Sequence, residues 1–251
     1  MNILDEIVAN TKVKVSNAKE QVSLDDLVST IHSNKIVKSK FKASLKDKDQ
    51  AIIAEIKKAS PSAGIISENF DPVKKAKEYE AFGASALSII TEEDYFWGSA
   101  QYLKDVKKIS KLPILRKDFI VDIYQIYESK LIGSDCILLI ASILSDEELN
   151  DFTQLADTLG LDYIIEVHNE DELKRVQDFS EAIIGVNNRD LKSFTVDIEN
   201  SIRLKQLFNQ DNLFVAESGI KGQSDINKLL QHGISIFLIG ESLMKGDFAW
   251  S

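Results

Sequence analysis

The feature that most narrows the folds open to this chain is a rhythm. From residue 51 onward, short β-branched apolar runs alternate with capped helical patterns. The runs are Ala51–Ile56, Ala86–Ile90, Ile114–Leu115, Cys136–Ile140, Tyr163–Val167, Ala182–Val186, Leu213–Ala216 and Ile236–Ile239. Each is continuously apolar rather than alternating, which marks a strand buried on both faces and therefore a parallel one. Successive strand ends fall roughly 20–35 residues apart, the size of a βα unit.

The intervening segments carry helix punctuation. Asp71 before Pro72 makes an N-cap and first-turn pair, and Gly83 follows as a stop. Ser145 with Glu148 reads as a capping box, and Asn169 with Glu172 repeats the chemistry. Gly133, Gly160 and Gly233 sit where helices should end. Eight such units predict an α/β fold, a closed (β/α)8 TIM barrel. A doubly wound open sheet is the competitor, but it rarely uses eight such even units. It also lacks support here, because no Gly-x-Gly-x-x-Gly follows the first strand.

Upstream lies an N-terminal helical extension, residues 1–50, ahead of the barrel at 51–251; the whole is read as one domain. Leu4, Thr11 and Ala18 recur at seven, as do Val8, Val15 and Val22, so one stripe of a first helix should be buried. Ser23 caps a second helix, with Asp26 as its partner and Leu24, Leu27, Val28 and Ile31 as its apolar face. Residues 34–50, rich in Lys, Ser and Asp, read as a connector.

Composition excludes several classes. Apolar residues at 44% suit a single large core, and a net charge of −10 argues against nucleic-acid partners. Asp5 and Glu6 break any signal peptide, and no apolar run approaches a membrane span. A cytoplasmic protein is expected, with no membrane partner, as a monomer or weak homo-oligomer. The lone Cys136 sits in a strand and should be buried.

In a barrel of this kind the chemistry sits where strands end. The first strand runs into Glu55 and Lys57, which alternation points into the mouth together. The third gives Lys117, the fifth Glu166, the sixth Asn187 and Arg189, the seventh Glu217, Ser218 and Gly219, and the eighth Gly240 and Glu241. Lysines and glutamates pooled in one mouth shift one another's proton affinity, making acids and bases available near neutral pH. Glycines after the seventh and eighth strands let backbone N–H groups approach an anion, and a short helix starting near Glu241 would aim its positive end there. Ser60, from the first strand's loop, could join that phosphate site. Ser60–Ser67, with Gly64 inside, is expected to form a lid.

These residues resemble the indole-3-glycerol-phosphate synthase family along essentially the whole chain. The resemblance is carried by Ala54–Ser62, Leu115–Phe119, Ile165–His168, Ile184–Leu191, Ala216–Ile220 and Phe237–Gly240, in that order. It implies ring closure, decarboxylation and dehydration of 1-(2-carboxyphenylamino)-1-deoxyribulose 5-phosphate. The products would be indole-3-glycerol phosphate, CO2 and water, with no cofactor and no metal. It also implies that Lys117 is the general acid for ring closure. Lys57 would hold the carboxylate or share acid duty, and Glu166 would act in the dehydration. Glu55 and Glu217 would orient the lysines, Asn187, Arg189 and Ser218 would position substrate, and Phe96 and Phe119 would line the slot for the anthranilate ring. Lys57 and Lys117 are both expected to face Glu166. Flanking lysines should favour the ionised form of Glu166, which conflicts with an acid role for it.

Two features depart from the family pattern. Glu241 stands where a small residue is usual, so its carboxylate must turn away from a phosphate. The chain ends at Ser251, which leaves no room for a full eighth outer helix. Two other functions compete with this reading. A phosphoribosylanthranilate isomerase would want a Cys/Asp pair at strand ends, and none is present. A phosphate-ligand sensor could do without Lys57, Lys117 and Glu166, and all three are retained.

Overall fold

A computed structural model describes residues 3–33, 35–190 and 194–248; Leu191, at the end of one motif, and Ser251 lie outside the described residues. Eight parallel strands close into a barrel: β1 (Ala51–Ile56), β4 (Ala86–Ile90), β5 (Ile114–Lys117), β6 (Cys136–Ile140), β7 (Asp162–Val167), β8 (Ile183–Asn187), β9 (Phe214–Glu217) and β10 (Ile236–Ile239). In the loop after β1, β2 (Ala59–Ser60) and β3 (Gly64–Ile65) form an antiparallel pair. The expected lid segment is therefore a small hairpin at its base.

The crossover helices are α4 (Pro72–Phe82), α5 (Ala100–Ile109), α6 (Ile123–Ile132), α7 (Asp146–Thr158), α8 (Glu170–Val176), α9 (Glu199–Leu207) and α10 (Gln223–Gln231), with α11 (Glu241–Lys245) after β10. Asp71, Ser145 and Asn169 cap α4, α7 and α8 as the sequence predicts. The stop after α10 differs by one residue: His232 is the C-cap, and Gly233 follows it in the left-handed region at φ 75°. The eighth outer position is held by the single short helix α11 rather than left bare, and Phe248 beyond it is buried.

Three helices precede the barrel: α1 (Ile3–Gln21), α2 (Leu24–His32) and α3 (Phe41–Leu45). The buried stripe of α1 is Ile7, Thr11 and Val15, spaced by four, with Leu4, Val8 and Ala18 half-buried beside it. Val22 is exposed because α1 ends at Gln21, so the seven-residue repeat runs past the helix. Val15 and Leu27 pack on Tyr124 of α6, and Lys19 pairs with Asp122 at 2.7 Å.

The connector expected at 34–50 contains α3, which floors the barrel. Phe41 and Leu45, both fully buried, cluster with Ala51, Ala86, Cys136, Ile183 and Ile236, the first residues of five strands. The backbone N–H of Lys42 donates to Asp162 at the start of β7, 2.8 Å away, fixing the plug in place.

The register sets what the interior carries. Ile53, Leu115, Ile164 and Val215, on alternate strands, point inward and are fully buried. Two residues further on along the same strands stand Glu55, Lys117, Glu166 and Glu217. The strand pairing advances by two residues between each of these strands, so the four charged side chains form a single layer across the axis. The barrel is thus apolar to one layer below its mouth and ionic above that level.

Candidate active site

Above the charged layer lies a cavity of about 720 Å³. All fourteen residues singled out from sequence line it: those at positions 55, 57, 60, 96, 117, 119, 166, 187, 189, 217, 218, 219, 240 and 241. Among the residues that the sequence did not place there, Ile3, Leu4 and Ile7 of α1 also line it. They arrive because α1 leans on the loop after β4, where Lys14 pairs with Asp94 at 2.7 Å and Tyr95 donates to Glu6 at 3.0 Å. Nothing local in the sequence marks them; only packing brings them in. Leu138 and Ile140 of β6 supply an apolar flank.

The lysines have different partners. Lys117 Nζ lies 3.1 Å from Glu166 Oε2 and 3.8 Å from Glu217 Oε2. Lys57 does not join them: its Nζ donates to Glu55 Oε1 at 2.6 Å, on its own strand. That is the same-side geometry strand alternation requires. The expected facing of both lysines on Glu166 is therefore replaced by two separate pairs.

Glycine makes room for these carboxylates. A Cβ on Gly240 would stand 2.3 Å from Glu55 Oε1, and one on Gly185 would stand 2.2 Å from Glu217 Oε1. Both distances are too short for any side chain, so the two glutamates lie over bare backbone. Around the β9 end the chain is tightly turned: Ser218 (φ 66°) and Gly219 (φ 81°) are both left-handed. Asn188 holds that turn, donating to the Ser218 carbonyl at 3.1 Å.

The acid–base balance follows from these contacts. Burial opposes charge on Lys117, but Glu166, Glu217 and Glu55 outweigh it and hold the ammonium more firmly protonated than an ordinary lysine. Burial likewise opposes ionisation of Glu166. Lys117, His168 and Asn187 outweigh it and hold that carboxyl well below the usual range. Glu217 goes the other way: burial and the neighbouring Glu166 charge push it up to about 8 against the pull of Lys117. Its Oε1 has no hydrogen-bond partner. Of the two neighbouring carboxyls, Glu217 is thus the one pushed toward its protonated form and Glu166 the one held toward its ionised form. The direction agrees with the expectation that a nearby lysine favours the ionised form of Glu166.

Other expected residues have their polar groups engaged. The Asn187 amide donates to Glu166 Oε1 at 3.1 Å and its oxygen accepts from the Arg189 N–H at 3.0 Å, so it braces a side chain. Ser60 Oγ accepts from Ala63 N–H at 3.2 Å, closing the hairpin turn. The Phe96 and Phe119 rings stand 6.1 Å apart, tilted by 39°. Glu241 does turn aside: one oxygen sits 2.7 Å from Lys245 Nζ and the other 3.7 Å from Arg189. Among the described residues, no group of His, Cys, Asp and Glu is placed to hold a metal ion, and no helix is long and apolar enough to cross a membrane.

Comparison with known proteins adds an independent line. Residues 4–249 match the family model for indole-3-glycerol phosphate synthase. The chain is 50% identical over 249 residues to the indole-3-glycerol phosphate synthase of Ruminiclostridium cellulolyticum, covering 98% of this chain and 95% of that one. It is 48% identical to the enzyme of the same name from Clostridium acetobutylicum, covering 97% and 92%. Among solved structures, a mutant tryptophan synthase alpha-subunit from Pyrococcus furiosus superposes with a TM-score of 0.59 at 16% identity. It covers 78% of this chain and 89% of that one, a likeness of fold alone.

Proposed function

The chain belongs to the indole-3-glycerol phosphate synthase family, and on that footing we propose how its mouth residues divide the work. The reaction is a decarboxylating lyase step of tryptophan biosynthesis on a phosphorylated small molecule. Its first event is attack of an aromatic carbon on a ketose carbonyl, which develops an alkoxide. In this reading Lys117 protonates that oxygen. An alkoxide is a far stronger base than an amine, so even a lysine stabilised by two carboxylates will yield its proton to it. The observation that carries the assignment is the position of Lys117: a half-buried ammonium between Glu166 and Glu217, within the charged layer.

Lys57, held by Glu55 at the cavity wall, clamps the substrate carboxylate until CO2 leaves. Glu166, ionised at rest, takes the proton removed during dehydration. Glu217, carrying a proton, sits beside it as a second donor. The anthranilate ring enters the slot of Phe96 and Phe119. The phosphate binds the backbone N–H groups around Gly219 and Gly240, with the Glu241 carboxylate withdrawn toward Lys245. Ser218 and Arg189 flank the sugar hydroxyls. A cytoplasmic location and a monomer or weak homo-oligomer complete the reading.

The test is direct. Purified protein given 1-(2-carboxyphenylamino)-1-deoxyribulose 5-phosphate should develop indole fluorescence, and Lys117→Ala should abolish it. Normal turnover by that variant would remove Lys117 from the chemistry.

A further inference from the structure

Behind Glu166 the site continues into a second, half-buried set of charges that the reaction scheme does not use. His168 follows Glu166 by two on β7's outgoing end and points to the same side. Its Nε2 lies 3.3 Å from Glu166 Oε1, a charge contact outside hydrogen-bond geometry, and its Nδ1 lies 3.2 Å from Glu172 Oε2 at the start of α8. The same Glu172 oxygen also accepts the His168 backbone N–H at 2.8 Å, so ring and backbone are gripped together. From α9, Asn200 donates to the His168 carbonyl at 3.1 Å and reaches the Asn187 carbonyl at 3.3 Å. The imidazole thus stands between Glu166 of β7 and Glu172 of α8, while α9 holds the backbone that carries it.

We propose that His168 is a positioning residue for the reaction: clamped by Glu172, it holds the Oε1 edge of the Glu166 carboxylate while Lys117 holds the Oε2 edge. The inference rests on the role given above to Glu166. The charged and titratable groups around this pair are Lys117 from β5, Glu217 from β9 and Glu55 from β1 on the cavity side. Glu172 from α8 stands on the outer side, and Asn187 and Asn200 add neutral contacts. Burial works against a charge on His168, but Glu166 and Glu172 outweigh it and raise its pKa to about 10. The ring is accordingly cationic across the working range. A cation beside Glu166 favours its ionised form, so His168 tunes the base as well as aiming it.

The geometry explains a division of labour. Glu166 must be held rigidly yet leave one oxygen free to exchange with Lys117 and substrate. A carboxylate fixed through only one edge by Asn187 could still rotate; a second, charged contact on that edge stops it. Glu172 in turn keeps His168 from titrating on its own.

The experiment compares wild type, His168→Gln and Glu172→Gln on the phosphorylated substrate across pH, with melting curves for each. For His168→Gln, kcat should fall about ten-fold at the acid end while KM stays within about two-fold, since substrate touches Glu166 and not His168. The acid limb of the kcat profile should move to higher pH, because Glu166 loses a cation and binds protons more readily. Glu172→Gln should shift the limb the same way by less. A purely structural role would lower melting temperature and rate at every pH without moving the limb. An unmoved limb in both variants overturns the proposal. If His168→Gln does not fold, Glu172→Gln carries the same test. A wild type inactive at all pH values would remove the reading of Glu166 itself, and this proposal with it. That result differs from an active enzyme with an unmoved limb.

Discussion

The two ends of the barrel interior are built from the same strands on the same inward face, and they differ completely. At the floor, Phe41 and Leu45 pack with Ala51, Cys136 and Ile236 in one buried apolar cluster. At the mouth, Glu55, Lys117, Glu166 and Glu217 occupy the equivalent inward positions, all buried or nearly so. The floor satisfies every packing rule: apolar, filled and covered. The mouth breaks several, with buried ionised groups, a carboxyl oxygen without a partner and a left-handed serine. The contrast shows where stability and chemistry are separated, by the length of one inward layer.

That separation can be broken on purpose. The largest effect should come from Lys117→Ala, with kcat down by about 10³-fold or more and a melting temperature close to wild type, as fluorescence turnover and calorimetry would show. Phe41→Ala should do the opposite. Emptying the plug should destabilise by about 3–5 kcal/mol in denaturant titration, while KM of the remaining folded enzyme stays unchanged. A floor variant that altered KM, or a mouth variant that unfolded the chain, would defeat the partition. Gly240→Ala sits between the two regions in kind. Its Cβ would collide with Glu55, so a stability loss of about 1–3 kcal/mol should accompany weaker substrate binding, both visible in a melt with and without substrate.

The smallest effect sharpens the comparison by pH. The unfolded chain ionises Glu217 near its ordinary value of 4.5, and the folded chain holds the proton until about 8. Folding therefore binds a proton in that window, and stability falls as pH rises through it. Glu217→Gln removes the dependence: it should melt above wild type at pH 8, with the gap closing toward pH 4. Glu166, shifted downward, acts with the opposite sign and only on acidification below its ordinary value, so the two carboxylates are separable.

Much of this was legible in the chain. The strands announced themselves as β-branched runs, and the strand-end residues fell on one face because alternation is a local rule. What escaped notice needed distance. The α3 plug has two apolar residues four apart and no capping side chain, too little for any periodic signal. The β2–β3 hairpin has two residues per strand, below the length at which alternation can be read. Ile3, Leu4 and Ile7 reach the mouth through tertiary packing of α1. Which carboxyl bears the proton depends on where Lys117 stands between Glu166 and Glu217, and sequence spacing does not set that. The exception is the ionised state of Glu166, which follows already from a lysine nearby.

The α3 plug has a kinetic corollary. With the floor sealed by Phe41 and Leu45, the interior is a cul-de-sac: substrate, product, CO2 and water all share one doorway. Departure must then precede the next arrival, and the product, which keeps the phosphate, competes for the anchor the next substrate needs. A sealed floor therefore makes the order of leaving and entering at that doorway part of each catalytic cycle.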